Sequence, residues 1–182
     1  MNIAIIFAGG SGVRMGAGMP KQFLEINGKP IIIHTLDNFQ NSPSIDKIYI
    51  SCKKDYITTL QDLTKRFAIT KVCGIVEGGS NGQDSIYRAL RAADAENDKD
   101  AIVLIHDGVR PFVSEEVIQK NIECVKQHGS AVTCTSFFET PILSKGGEEV
   151  EEMPLKKEMF TAQAPQSFYL GEIMDCLLYT SP

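Results

Sequence analysis

The chain has 182 residues, a net charge of −5 and 43% hydrophobic residues. That length suits one domain with a sizeable core, and the negative balance excludes the broad basic face of a general nucleic-acid or membrane-surface protein. No run approaches the about 18 apolar residues of a membrane span and no signal-type segment opens the chain, so no membrane role is expected and the cytosol is the expected compartment.

The first element predicted is a strand at residues 2–7, a short apolar run rich in β-branched side chains and patterned for burial on both faces. It runs into Phe-Ala-Gly-Gly-Ser-Gly-Val-Arg-Met-Gly-Ala-Gly-Met-Pro-Lys at residues 7–21, the stretch around which the rest is organised. Residues 22–26 read as extended, Asn27-Gly28 as a turn, and Pro30 as the start of a helix carrying Ile31, Ile32, Thr35, Leu36 and Phe39. A strand at 46–51, a helix at 55–67 and a third strand at 71–76 follow, leading into a second glycine-rich turn at 77–82 and a helix at 83–95. The strand at 101–105 is the most apolar after the first and ends in His106-Asp107-Gly108-Val109-Arg110-Pro111. Ser114 is the expected N-cap of a helix that runs to about His128, where a structural role for the imidazole is expected, and residues 130–135 are a fifth strand. Strands alternating with helices predict an α/β fold, a mostly parallel sheet with helices on both faces.

From about 136 to 159 the alternation breaks into an acidic run, Glu148-Glu149-Val150-Glu151-Glu152, and a basic pair, Lys156-Lys157. This reads as a protruding arm, either a solvated loop or a partner-contacting hairpin. Residues 162–168 return to compact structure and a helix starts at 171. The expectation is one domain over residues 1–182 whose carboxyl terminus is cut short or carries a foreign tail. Cys52, Cys73, Cys124, Cys134 and Cys176 are odd in number with no Cys-x-x-Cys pair, which suits buried thiols rather than disulfides or zinc.

In a parallel sheet the loops after the strands share one edge, so residues 7–21, 78–85 and 107–110 converge. Gly9, Gly10 and Gly12 let the backbone turn its N–H groups toward phosphates, and Arg14 and Lys21 add cations. The stretch lacks the Gly-Lys-Ser/Thr of a P-loop and the third glycine of the dinucleotide fingerprint, so the reading is a nucleoside triphosphate site of another kind. Gly79, Ser80 and Ser85 are placed to hold a base or ribose. Asp107 is a candidate magnesium ligand, or with Arg110 a local ion pair. No nucleophile, base or carboxylate pair stands out. A phosphate monoester needs none, being already anionic at neutral pH; Arg14, Lys21 and magnesium would then neutralise charge on the attacked phosphorus and the leaving pyrophosphate.

Residues 8–16, Pro20-Lys21-Gln22-Phe23, Gly28-Lys29-Pro30-Ile31, Asp84-Ser85, residues 106–111 and Ala164-Pro165-Gln166-Ser167-Phe168 together resemble the family of 2-C-methyl-D-erythritol 4-phosphate and ribitol-5-phosphate cytidylyltransferases. The resemblance implies a Rossmann-like nucleotidyltransferase fold that moves CMP from CTP to a polyol phosphate with magnesium and releases pyrophosphate. It implies transition-state roles for Arg14 and Lys21, and contacts to CTP from Ala8, Gly9, Gly10, Ser11, Gly12, Gly79, Ser80, Ser85 and Gly108. Asp107 would meet the magnesium or the polyol and Arg110 the polyol phosphate, with Thr140 and Lys156 on an arm that builds a homodimer and closes the acceptor pocket. The chain departs from the family in carrying Lys156 where arginine is common, Ala164 for threonine and Gly82 for arginine, and the family's further helix and phosphate-holding lysine fall beyond residue 182. Met19-Pro20-Lys21 and Glu158-Met159-Phe160 lean slightly toward ribitol phosphate, Ala164-Pro165-Gln166 matches neither group, and both acceptors stay open. The alternative reading is a nucleotide-binding module without turnover.

Overall fold

A computed structural model describes residues 1–9 and 19–180, with side chains in the last helix through residue 177. In chain order the elements are β1 (Asn2–Ala8), β2 (Glu25–Ile26), β3 (Lys29–Pro30), α1 (Ile31–Asn41), β4 (Lys47–Cys52), α2 (Ile57–Arg66), β5 (Val72–Glu77), α3 (Gly82–Asp94), β6 (Ile102–Asp107), α4 (Glu115–His128), β7 (Ser130–Ser136), β8 (Phe160–Tyr169) and α5 (Leu170–Thr180).

The main sheet runs β5-β4-β1-β6-β8-β7. β1 pairs in parallel with β4 and β6, and β4 with β5. Because side chains alternate across a strand, β1 feeds two cores. Ala4, Ile6 and Ala8 pack with Ile32, Leu36 and Phe39 of α1, Leu60 of α2 and Ile118, Ile122 and Val125 of α4. Ile3 and Ile5 face the other way, onto Ala89, Leu90 and Ala93 of α3 and Leu170 and Met174 of α5. Burying each such isoleucine contributes about 1.5–3 kcal/mol, which is why the continuous apolar runs become central strands.

Ser114 caps α4 by accepting the Val117 N–H at 3.3 Å, and Gly129 closes that helix at φ 84°, a backbone conformation costly for any residue with a Cβ.

Two expectations change. Residues 22–26 are not extended throughout: Lys21–Phe23 is a 3-10 turn, started by Pro20 at φ −60° and closed by Phe23 N–H to Pro20 C=O at 3.0 Å. The fifth strand, expected at 130–135 in a mostly parallel sheet, is antiparallel to its neighbour and set apart from β6. The ten-residue β8 lies between them, antiparallel to both. β8 also carries an irregularity, since Val132 faces Gln166 while Cys134 faces Ala162, so residues 163–165 bulge out. The arm at 137–159 is largely irregular, with one antiparallel bridge, Leu143 to Glu152, and Phe137 N–H to Met159 C=O at 3.1 Å closing its base.

The thiols also differ from expectation. Cys52 is buried, Cys124 is half-buried, and Cys73, Cys134 and Cys176 are exposed. Cys73 and Cys134 lie on the two edge strands, where one side has no neighbour. Burial pushes the Cys52 thiol up to about 11 from an ordinary 9.0, with the Lys53 N–H opposing. A neutral thiol reagent is therefore expected to modify Cys73 and Cys134 rapidly in the native protein and Cys52 only after unfolding. With the folded pKa raised, this group's stability contribution is full below the unfolded value and declines as pH rises through the window from 9.0 toward about 11. Denaturant titrations across that window check the slope, which Cys52→Ala should flatten.

Candidate active site

The carboxyl ends of β1, β4, β5 and β6 meet on one edge, and the first cleft there is lined by Phe7, Gly9, Lys53, Gly78, Gly79, Ser80, Asn81, Gly82 and Ser85, with a volume of about 490 Å3. Its geometry depends on one hydroxyl. Ser85 Oγ, 2% exposed, accepts the Gly79 N–H at 3.0 Å and donates to Asn81 C=O at 2.8 Å, folding the turn over the start of α3. A Cβ at position 9 would stand 2.8 Å from that oxygen, so only glycine lets the exit of β1 approach the α3 turn this closely. Asn81 caps α3 through the Asp84 N–H at 2.9 Å, and the Asp84 carboxylate returns to the Ser80 N–H at 3.0 Å. Arg88, then the Ser80 N–H, hold the Asp84 carboxyl below its ordinary value. At Gly79 a Cβ would overlap the Asp84 side chain.

Across the edge, Gly108 brings the turn after β6 onto β1. Its N–H donates to Phe7 C=O at 3.0 Å, and a Cβ there would lie 3.2 Å from Ala8 Cβ. Helix α1 straps the same turn, with Thr35 Oγ1 donating to Gly108 C=O at 3.1 Å and Asn38 Nδ2 to Pro111 C=O at 2.6 Å. His106, 1% exposed, donates from Nε2 to Arg110 C=O at 3.0 Å, and its ring meets Phe39 edge-on with centroids 5.1 Å apart. Burial lowers its pKa and keeps the imidazole neutral.

A second cleft of about 430 Å3 lies beyond this turn, lined among others by His106, Val109, Arg110, Thr133, Gln163 and Ala164. It opens where the β8 bulge carries that strand away from β6, since their pairing ends at Ile105 and Gln166. Asp107 Oδ1 accepts the Val109 N–H at 3.2 Å, and Oδ2 stands 3.7 Å from Arg110 Nε, so the local ion pair exists. Both oxygens keep lone pairs for a cation or a substrate hydroxyl.

Ala8, Gly9, Gly79, Ser80, Ser85, Gly108, Asp107 and Arg110 thus share one edge. Lys21 lines neither cleft, but the next residue, Gln22, is 1% exposed and donates from Nε2 to Ala8 C=O at 2.7 Å, which pins the Lys21 turn to the end of β1. Thr140 and Lys156 are exposed on the arm and line neither cleft. Gly10, Ser11, Gly12 and Arg14 lie outside the described residues. Reasoning from the sequence missed Lys53 in the first cleft, Gln22 and Gln163. A lysine directly after the second strand was the available signal for Lys53, and nothing local marked Gln163.

Known proteins resemble the chain in sequence and in fold. The ribitol-5-phosphate cytidylyltransferase of Streptococcus agalactiae serotype Ia is 50% identical over 175 residues, 96% of this chain and 73% of that protein. The 2-C-methyl-D-erythritol 4-phosphate cytidylyltransferase of Clostridium botulinum strain Langeland is 37% identical, over 96% of this chain and 75% of the relative. The crystal structure of 4-diphosphocytidyl-2C-methyl-D-erythritol synthase from Anaerococcus prevotii superposes with a TM-score of 0.81 at 27% identity, covering 99% of this chain and 76% of the other. The chain therefore spans about three quarters of the length of these relatives. That structural likeness identifies the sheet as Rossmann-like of the nucleotidyltransferase kind. The relatives are named as enzymes, so a silent nucleotide-binding module finds no support among them. The family model for 2-C-methyl-D-erythritol 4-phosphate cytidylyltransferase matches residues 2–181, and the chain belongs to that family of nucleotidyltransferases.

Proposed function

We propose that the chain transfers CMP from CTP to D-ribitol 5-phosphate. A phosphate oxygen of the acceptor attacks the α-phosphorus of CTP, the bond from that phosphorus to the β-phosphate bridge breaks, and pyrophosphate leaves. The observation that carries the reading is the pair of clefts on one sheet edge, the first closed by glycines and Ser85 and the second holding Arg110, with Lys21 pinned to the strand between them. The unbranched pentitol phosphate is favoured over the branched methylerythritol phosphate because the relative named for ribitol 5-phosphate is 50% identical against 37% for the other.

Base and ribose fit the first cleft, where Gly79, Ser80 and Ser85 offer short polar contacts. Lys21 and Arg14 neutralise the triphosphate, and Arg110 meets the acceptor phosphate. The donor set suits magnesium carried in on the triphosphate: Asp107 supplies one carboxylate, and among the described residues no cluster of three or more ligating side chains forms a dedicated cage. Magnesium, when bound, would screen the charge passing to pyrophosphate.

The arm exposes Phe138, Ile142, Val150, Met153 and Leu155, which supports a homodimer in which Thr140 and Lys156 reach a partner's acceptor cleft. No described helix is long and apolar enough to cross a membrane; a cytoplasmic location is part of this proposal. In side-by-side assays with CTP and magnesium, kcat/KM for ribitol 5-phosphate should exceed that for methylerythritol phosphate by at least about tenfold. The reverse order reassigns the acceptor, and pyrophosphate release with neither refutes the activity.

A further inference from the structure

The guanidinium of Arg110 is held by a residue that the reaction itself does not name. Arg110 Nη1 donates to Gln163 Oε1 at 3.1 Å across 53 positions of sequence. Its Nε side faces Asp107 Oδ2 at 3.7 Å. The Arg110 carbonyl is in turn fixed by His106 Nε2 at 3.0 Å. A side chain that is 53% exposed would otherwise sample many rotamers, at an entropic cost on binding. One Nη1 N–H is spent on Gln163 and Nε faces the Asp107 carboxylate beyond hydrogen-bond distance, so Nη2 and the second N–H of Nη1 form the outward donor edge. Gln163 can make this contact because it sits in the β8 bulge, and it lines the second cleft beside Arg110 and Ala164.

The geometry points to Gln163 as a positioning residue for acceptor binding: its amide oxygen aims the Arg110 fork at the phosphomonoester of the polyol. This rests on the activity proposed above. It predicts an effect confined to one substrate, because Gln163 lines the second cleft and not the first.

Steady-state kinetics on the parent enzyme, Q163L and Q163E provide the test. Q163L removes the acceptor atom at similar volume and should raise KM for ribitol 5-phosphate roughly tenfold, leaving KM for CTP and the melting temperature unchanged. Q163E keeps an acceptor but puts a carboxylate on the guanidinium, which competes with the substrate phosphate and should raise that KM further. An unchanged acceptor KM in Q163L, with the parent turning over normally, overturns the role of Gln163 and leaves the activity standing. So does a rise in both KM values together with a lowered melting temperature, the signature of a structural role. A parent enzyme that releases no pyrophosphate with either polyol phosphate overturns the activity, and this role with it.

Discussion

Replacing Lys21 with alanine is expected to lower kcat by about 10²–10³-fold, with thermal stability unchanged. The reaction brings a phosphate monoester against a triphosphate, so two anions must meet while further negative charge builds on the leaving pyrophosphate. A fixed cation is worth most where water is excluded, and Lys21 is half-buried at the head of a turn whose next residue, Gln22, is tied to the end of β1 at 2.7 Å. None of the ion pairs among the described residues involves Lys21, so its removal leaves no carboxylate there orphaned. The loss should therefore appear in catalysis and not in folding. Single-turnover rates at saturating CTP and acceptor make the measurement, and an unaltered rate would remove Lys21 from the chemistry.

Ser85→Val should have the largest effect on stability and nucleotide binding together. The buried hydroxyl is the shared partner of the Gly79 N–H and the Asn81 carbonyl, and it is the atom against which Gly9 packs. Valine leaves both backbone groups without that partner and adds a methyl at a position only 2% exposed, for a combined cost of about 2–4 kcal/mol. At this chain length that corresponds to a fall in melting temperature of roughly 5–15 °C. The dissociation constant for CTP should rise at least about tenfold, because the turn that forms the first cleft is no longer folded over α3. Calorimetry with CTP, with Ser85→Ala as the variant that removes the hydroxyl without added bulk, distinguishes lost hydrogen bonds from crowding. Native-like CTP affinity in both variants would show that Ser85 does not shape the cleft.

The central strands and their helices were legible in the sequence because burial on both faces writes a continuous apolar run, as in Ile3 to Ile6 and Ile102 to Ile105. The loops at 77–82 and 107–110 were legible because glycine marks close backbone approach, now visible between Gly9 and Ser85 and between Gly108 and Ala8. Strand β8 was not legible. Phe160–Tyr169 mixes Thr161, Gln163, Pro165 and Gln166 with apolar residues, and only the gap between β6 and β7 selects a strand there. The contact of Arg110 with Gln163 depends on a bulge whose existence depends in turn on that pairing, so no local pattern encodes it. The exposure of Cys73 and Cys134 follows likewise from strand order and not from residue type. The family motifs carried further than the local pattern, since they joined segments distant in sequence into one site.

The place of β8 has a consequence for biosynthesis. As the polypeptide leaves the ribosome, β6 and β7 are both complete some two dozen residues before the piece that joins them exists, because the whole arm must be made first. Until then the flank of β6 and the inner side of β7 offer unsatisfied amides to any passing chain, and closing that distant pairing sets a slow step. The nascent enzyme is thus most prone to associate wrongly in the interval when residues 137–159 are being synthesised.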